Sequence, residues 1–263
     1  MTEEQKSAEM PFLEHLEELR NRLLWSVGAL FVCMLLSMIV VFDQDRNVIG
    51  FLATPVLPFL QGNKLIYTHP ADTATISLKV AFGCGLVLAT PVIGYQLWAF
   101  LSPALHRHEK KLVVPVLLGA TILFASGVII AWVWMLPLML KMLFGIQSAS
   151  LAPMISAGEY FSFMITICLA FGAIAQVPLI ILALTALGLV TPRMLAKYRR
   201  HAMVASILVS ALVTPGDVLS MTILMAGPLY ALYEVSIIVS WVTYRLRQRS
   251  AKKSEPSIGG AAA

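Results

Sequence analysis

The sequence predicts an all-α integral membrane protein of six transmembrane helices, both termini cytoplasmic, with a short fifth helix. Three observations carry that prediction. Hydrophobic residues make up 59% of the 263 and charged residues 13%, against about 45–50% and about 25% in soluble domains, an excess that no soluble core of this size can hide. The apolar residues gather into runs of spanning length, a crossing helix needing about 20 residues at about 1.5 Å each. The basic residues collect on alternate loops, as shown below.

The chain opens on an amphipathic segment, residues 10–22, that leads into the first span. As a helix it places Phe12, Leu16, Leu19 and Leu23 on one stripe and Glu14, Glu17, Glu18 and Asn21 on the other side. Glu18 and Arg22 are i,i+4 partners, worth about 0.2–0.5 kcal/mol on an exposed helix. An acidic face beside anionic lipid is costly, so it is expected to meet something basic; a solvated lead-in helix is the plainer alternative. The acidic start and the length of the first run argue against a separate signal peptide.

Leu23 to Phe42 is the first span and carries no charge. Asp43 to Thr75 is a long loop whose apolar middle, Val48 to Leu60 with Pro55 and Pro58, reads as a short interfacial helix. The second span is Ile76 to Leu101, with Lys79 placed to snorkel and Gln96, Trp98 and Phe100 marking its far interface. After the charged loop Ser102 to Lys111, the third span runs from about Leu112 to Leu138, anchored by Trp132 and Trp134. Lys141 to Gly158 is a loop, and Tyr160 to Leu187 the fourth span, kinked by Pro178. Gly188 to Arg200 is a basic loop opened by Thr191-Pro192.

His201 to Val213 has 13 residues, about 20 Å as a helix and short of a hydrocarbon core of about 30 Å. Thr214-Pro215-Gly216-Asp217 turns the chain into the last span, Val218 to Trp241. Such a short span must thin the bilayer or find protein partners. Residues 1–243 thus form one transmembrane domain, and 244–263 a basic, disordered cytoplasmic tail. Of the 19 Lys and Arg, three precede residue 23, three lie in Ser102–Lys111, four in Gly188–Arg200 and five follow Tyr244; only Arg46, Lys64, Lys79 and Lys141 fall on the other side. The positive-inside rule therefore puts both termini in the cytoplasm.

Nothing in the pattern suggests catalysis. The five histidines make no HExxH-type motif, no nucleophile signature or phosphate-cradling loop occurs, and Cys33, Cys84 and Cys168 lie in apolar runs without metal spacing. No cofactor, metal or nucleic acid is implied. The polar residues that stand out are few. Glu109 has basic neighbours Arg107, Lys110 and Lys111, and a local surface ion pair is its plain reading. Gln176, two residues before Pro178, lies in mid-span, where it faces protein or a water-filled cavity, or simply makes an interhelical hydrogen bond. Glu234, flanked by Tyr230 and Tyr233 in the last run, costs about 2.5–3.5 kcal/mol if charged at the bilayer centre, so it is protonated or paired and a functional candidate. Asp217 in the turn is placed to cap the following helix.

Separated segments also match one known pattern in order: His15-Leu16-Glu17-Glu18-Leu19-Arg20, Pro91 through Phe100, Pro103-Ala104-Leu105, His108-Glu109, Val114-Pro115, Phe171-Gly172, Gln176-Val177-Pro178, Leu212 through Val218 and Tyr233-Glu234. Across residues 10 to about 241 the chain resembles the TatC family, the polytopic core of the twin-arginine protein translocase. The resemblance implies a concave helix bundle in the cytoplasmic (inner) membrane that binds the twin-arginine signal peptides of folded cargo, and a homo-oligomeric receptor complex. Glu18 and Glu109 match the acidic pair that receives the two arginines, a sensible pairing for guanidinium forks. Arg20 matches the arginine placed to orient Glu18, and Pro55 and Phe100 match positions linked to loop shape and signal-peptide contact. Gln176 matches a mid-membrane polar position that meets a partner helix. The short fifth helix is implied to dock the single-span partners TatA and TatB, with export driven by the proton-motive force. Gly216 replaces a second proline frequent in the family turn, and Ser220 is followed by Met221 rather than glutamine. The competing reading is a secondary transporter with Gln176 and Glu234 as a midplane site, although no inverted repeat supports it; a membrane scaffold is the third.

Overall fold

The computed structural model describes residues 3–60, 62–101, 113–145, 154–186, 188–214 and 219–254, and the regular elements among them are helices. They are α1 (Glu3–Phe42), α2 (Val48–Leu52), α3 (Asp72–Leu101), α4 (Val113–Ile130), α5 (Leu136–Gly145), α6 (Ala157–Ile174), α7 (Val177–Ala186), α8 (Pro192–Lys197), α9 (Arg199–Val213) and α10 (Leu219–Ser254). Five segments among the described residues are long and apolar enough to cross a membrane: Leu16–Phe42, Asp72–Phe100, Leu117–Gly145, Ala157–Thr185 and Leu219–Arg245. The sixth expected span is α9, at 15 residues about 22 Å long. The chain packs as two compact units, residues 1–172 and 173–263.

In the first unit α1 lies along α3. Their backbones meet closely because Gly85 has no side chain. A Cβ there would sit 2.7 Å from Met34 Cα and 2.8 Å from Met34 N. Gly172 plays a related part between α6 and α4, where a Cβ would come within 2.9 Å of Phe124 Cζ and Val128 Cγ2. Small residues at crossings are how helices approach when lipid, as apolar as any side chain, removes the hydrophobic drive.

The third span is longer than its sequence suggested. Helix continues past Leu138 to Gly145, so Lys141 belongs to α5 rather than to a loop. Between α4 and α5 lies a π turn, Ala131–Met135, closed by the Leu136 N–H donating to the Ala131 carbonyl. Pro137 explains it: its nitrogen has no proton, and its ring would strike the carbonyl of Val133 in a regular helix. The wider turn makes room, and helix resumes.

The apolar stretch Val48–Leu60 is not one interfacial helix. Only Val48–Leu52 is α-helical, followed by turns and a 3₁₀ turn at Leu57–Phe59. Pro55 takes the second position of the turn closed by Leu57 N–H on the Thr54 carbonyl at 3.3 Å, where its fixed φ suits a type I geometry. Val56 and Leu60 are completely buried, and Tyr160 Oη donates to the Leu52 carbonyl at 2.9 Å. The stretch is apolar because it packs on the unit, tied down by α6.

Pro178 shapes the fourth span as expected. α6 stops at Ile174, the residue whose carbonyl the Pro178 ring would hit, and α7 restarts at Val177 with the proline in its first turn. Ala175 and Gln176 form the break, with the Gln176 N–H on the Ala173 carbonyl at 3.1 Å.

The second unit is built on Ile181, Leu195 and Ile237, with Val177, Val190 and Tyr233 packed around them. α7 and α10 are stitched by a buried Thr185 Oγ1–Ser240 Oγ hydrogen bond of 2.8 Å. The basic loop after Gly188 contains its own helix, α8, capped by the Thr191 hydroxyl, which accepts from Met194 N–H at 3.3 Å, with Pro192 as first residue. α9 starts two residues earlier than the apolar run, at Arg199. α10 continues as helix through Ser254, so the tail expected to be disordered from Tyr244 is helical for its first eleven residues. Arg245 lies over the Trp241 ring at 3.1 Å, and lysine and arginine suit a helix C-terminus.

One substitution pair tests the α1–α3 contact. Gly85→Ala is expected to lower stability in detergent by about 1–3 kcal/mol. Gly28→Ala, on the same pair of helices with nothing within 4 Å of the added Cβ, is expected to be neutral or to stabilise by up to about 1 kcal/mol. Thermal unfolding of the two variants measures both; equal effects would mean that the close approach is not a constraint.

Candidate functional site

The amphipathic segment is helical as its periodicity predicts, and its two faces are turned in an informative way. Leu16, Leu19 and Leu23 are 45%, 41% and 60% exposed. Glu18 and Arg22, on the opposite side, are half-buried. Glu18 and Arg22 are turned toward the protein, whereas Glu17 and Asn21 beside them are exposed, as are the leucines.

That polar face, with α3, forms a cleft of about 520 Å³ lined by Glu17, Glu18, Asn21, Arg22, Trp25 and Gln96. The antiparallel register accounts for the meeting: Arg22 is 12 residues before Met34 and Gln96 is 11 residues after Gly85, so each lies about 17 Å along its helix from the close contact. Phe100 is half-buried one turn beyond Gln96 on α3, on the same side by helical spacing.

Inside the cleft Glu18 Oε1 accepts from Arg22 Nε at 3.0 Å and from Arg22 Nη2 at 2.5 Å. Arg20, expected to orient Glu18, lies instead against Glu17, Nη2 to Oε1 at 3.6 Å, both largely exposed. Residues two apart on a helix point away from each other, whereas three and four apart are neighbours. Chemically the cleft offers carboxylates, two primary amides and an indole face: acceptors for guanidinium or ammonium groups, and a surface for cation–π stacking. Among the described residues no group of His, Cys, Asp and Glu is arranged to hold a metal. Glu109, the other acidic candidate, lies outside the described residues, as do Pro215 and Asp217.

Glu234 is paired. Arg199, the first residue of α9, donates from Nη2 to Glu234 Oε2 at 2.9 Å, and Tyr230 Oη donates to Oε1 at 2.6 Å. Tyr233 Oη donates to the Leu195 carbonyl of α8 at 2.9 Å. Helix arithmetic explains why Arg199 finds it: α9 runs 15 residues from Arg199 to Val213, and Glu234 lies 15 residues past Leu219 on α10. The carboxylate is thus level with the α8–α9 junction and its basic residues. Gln176 is half-buried at the α6–α7 break, and Pro178 beside it is buried.

Sequence reasoning missed three participants. Gln96 stands out only as an interfacial residue until the α1–α3 register is known, Trp25 does not stand out within its apolar run, and Arg199 reads as one more loop charge. Counting equal arms from the Thr214-Pro215-Gly216-Asp217 sequence would have found Arg199.

The Glu234 pairing makes a stability prediction. Arg199→Gln is expected to cost about 1 kcal/mol, since the carboxylate keeps Tyr230 and some solvent. A double-mutant cycle with Glu234→Gln is expected to give a coupling of about 0.5–1.5 kcal/mol in thermal unfolding; additivity would mean that the pair does not hold α9 to α10.

Residues 14–228 match the model of the family described as TatC, Sec-independent protein translocase protein. The Sec-independent protein translocase protein TatC of Aquifex aeolicus is 36% identical over 245 residues, covering 92% of this chain and all of that protein. The Escherichia coli protein of the same name is 36% identical over 231 residues, 88% of each chain. A crystal structure of the twin arginine translocase receptor TatC superposes with a TM-score of 0.77 at 34% identity, covering 87% of this chain and 99% of that one. With matches of this extent in sequence and in fold, the chain belongs to the TatC family of Sec-independent protein translocases.

Proposed function

We propose that this chain is the receptor subunit of a twin-arginine translocase. It binds the paired arginines of signal peptides on folded cargo and then nucleates assembly of TatA- and TatB-type single-span partners for export driven by the proton-motive force. Glu18 is the first carboxylate of the receptor site and Glu109 the second, with Phe100 in contact with the signal peptide. Gln176 meets a partner helix within the membrane, Glu234 tethers α9 to α10, and Pro55, Pro178, Pro215 and Asp217 shape loops and helix starts. The chain acts as a six-span concave bundle, residues 1–243, in the cytoplasmic membrane, with both termini and the basic segment 244–263 in the cytoplasm, in a homo-oligomeric receptor complex. The role is binding, with no bond made or broken by this chain.

The observation that carries this reading is the cleft itself. A hollow between α1 and α3 lined by two carboxylates, two primary amides and an indole is suited to a cationic ligand. A guanidinium fork gains two aligned hydrogen bonds from a carboxylate where an ammonium gains one.

The test is binding of a peptide carrying adjacent arginines to the detergent-purified chain, against its Lys-Lys counterpart. A preference of about tenfold or more for Arg-Arg is expected, and Glu18→Gln and Glu109→Gln are each expected to remove most of it. Equal binding of the two peptides, unchanged in both variants and unchanged again with TatA and TatB added, would contradict the receptor reading.

A further inference from the structure

The end of α3 opposite the Glu18 cleft carries a charge that the receptor role does not use. Lys79 lies 17 residues before Gln96, about 25 Å away along the helix, and seven residues in from the start of α3 at Asp72. It is exposed, and so are its apolar neighbours Leu78 and Phe82, so it stands on a face of the span that meets hydrocarbon. Instead of snorkelling freely, its Nζ donates across to Ser162 Oγ of α6 at 2.7 Å, and the Ser162 hydroxyl donates to the Gly158 carbonyl at 2.7 Å. One turn deeper the two helices touch, a Cβ on Gly83 meeting Ile165 Cγ2 at 3.5 Å. The contacts advance together along both chains, so α3 and α6 run parallel here, with the ammonium in the groove between them. An ammonium has three donors, and Ser162 takes one.

Among the described residues Lys79 forms no ion pair, and neither does Glu159. Glu159 is exposed and lies three residues before Ser162, on the same side of α6 and about 4.5 Å nearer the helix start. Asp72, the other carboxylate at this end, is already occupied: its Oδ2 accepts from Thr68 N–H at 2.8 Å, His69 N–H at 2.9 Å and the Thr68 hydroxyl at 3.0 Å.

We propose that this groove binds the headgroup of a zwitterionic phospholipid of the phosphatidylethanolamine type, its phosphate on Lys79 and its ammonium on Glu159. A cation on a hydrocarbon-facing surface is costly without a counter-charge, and the bilayer supplies phosphate. A headgroup of net negative charge would satisfy Lys79 but be repelled by Glu159 and Asp72; one that ends in an ammonium turns Glu159 into a second contact. The order along the helices is that of a lipid: acyl chains beside Leu78 and Phe82, phosphate at Lys79, and the amine outermost at Glu159 across its two-carbon link.

The experiment measures lipid retention by native mass spectrometry on the full chain in detergent. Phosphatidylethanolamine and phosphatidylglycerol of identical acyl chains are the probes, for wild type, Lys79→Gln, Lys79→Arg and Glu159→Gln, with lipid-free thermal unfolding recorded for each. Wild type is expected to hold one phosphatidylethanolamine about three- to tenfold more tightly than phosphatidylglycerol. Lys79→Gln is expected to reduce that binding to background, and Lys79→Arg to keep it within about twofold. Glu159→Gln is expected to weaken phosphatidylethanolamine and strengthen phosphatidylglycerol, so that the preference disappears. Equal retention of the two lipids by wild type, a preference for phosphatidylglycerol, or a phosphatidylethanolamine preference that survives in either Lys79→Gln or Glu159→Gln overturns the proposal. Should Lys79→Gln lower the lipid-free unfolding temperature, Glu159→Gln decides: a lost preference supports the site and a retained one overturns it.

Discussion

The arrangement at the mouth of the first unit depends on a backbone contact far from it. Where Gly85 meets Met34, α1 and α3 come closer than any side chain would allow. Two helices locked at one point and running antiparallel have their register fixed along the remaining length. About 17 Å away, that register brings the polar face of α1 to Gln96 and closes a cleft around Glu18. A helix pair held apart by a methyl group would still cross the membrane. It would not hold the same six side chains around one hollow.

The Glu18–Arg22 pair marks the side of α1 that turns inward. In water the stripe of Leu16, Leu19 and Leu23 would be driven against protein. Next to hydrocarbon no such drive exists, because lipid accepts leucine as well as a core does. What hydrocarbon rejects is charge: about 2.5–3.5 kcal/mol for aspartate at the bilayer centre. Turning the carboxylate toward the protein, with Arg22 on it, avoids that penalty and leaves the leucines facing outward. Glu234 follows the same rule in the second unit, with Arg199 and Tyr230 in the corresponding roles. In both units an arginine neutralises a carboxylate that lies within an apolar helix. The difference lies in reach: Arg22 is a neighbour on the same helix, whereas Arg199 joins two helices and fixes how far α9 extends along α10.

Much of this was legible in the sequence, and the reasons differ from one element to the next. The apolar runs are a direct consequence of membrane thickness, so the long helices follow from composition. The Glu18–Arg22 pair follows from i,i+4 spacing alone, and the break before Pro178 from the missing N–H. The helical path through Ala131–Met135 was equally available from Pro137, since a proline within an apolar run must displace a carbonyl four residues earlier. The inward face of α1 was not legible, because periodicity separates two faces without saying which solvent each will meet. Nor was the meeting of Glu18 with Gln96, which requires the register set by Gly85. Val48–Leu60 misled because an apolar stretch outside a span looks interfacial. Val56 and Leu60 are buried against protein instead, a long-range outcome that local pattern does not encode. The residues 102–112, with Glu109, and 215–218, with Pro215 and Asp217, lie outside the described structure, so their part in the site rests on the sequence.

The central claim, that the inward polar face of α1 with α3 is where the twin-arginine peptide sits, is most directly tested by site-specific photocrosslinking. A photoreactive side chain would be placed in turn at Asn21, Trp25 and Gln96, which line the cleft, and at Leu16 and Leu23 on the outward stripe, with a labelled twin-arginine peptide present. Adducts from the three cleft positions and none above background from the two leucines are the result predicted. Adducts concentrated at Leu16 and Leu23 would place the peptide on the opposite face of the helix and contradict the account.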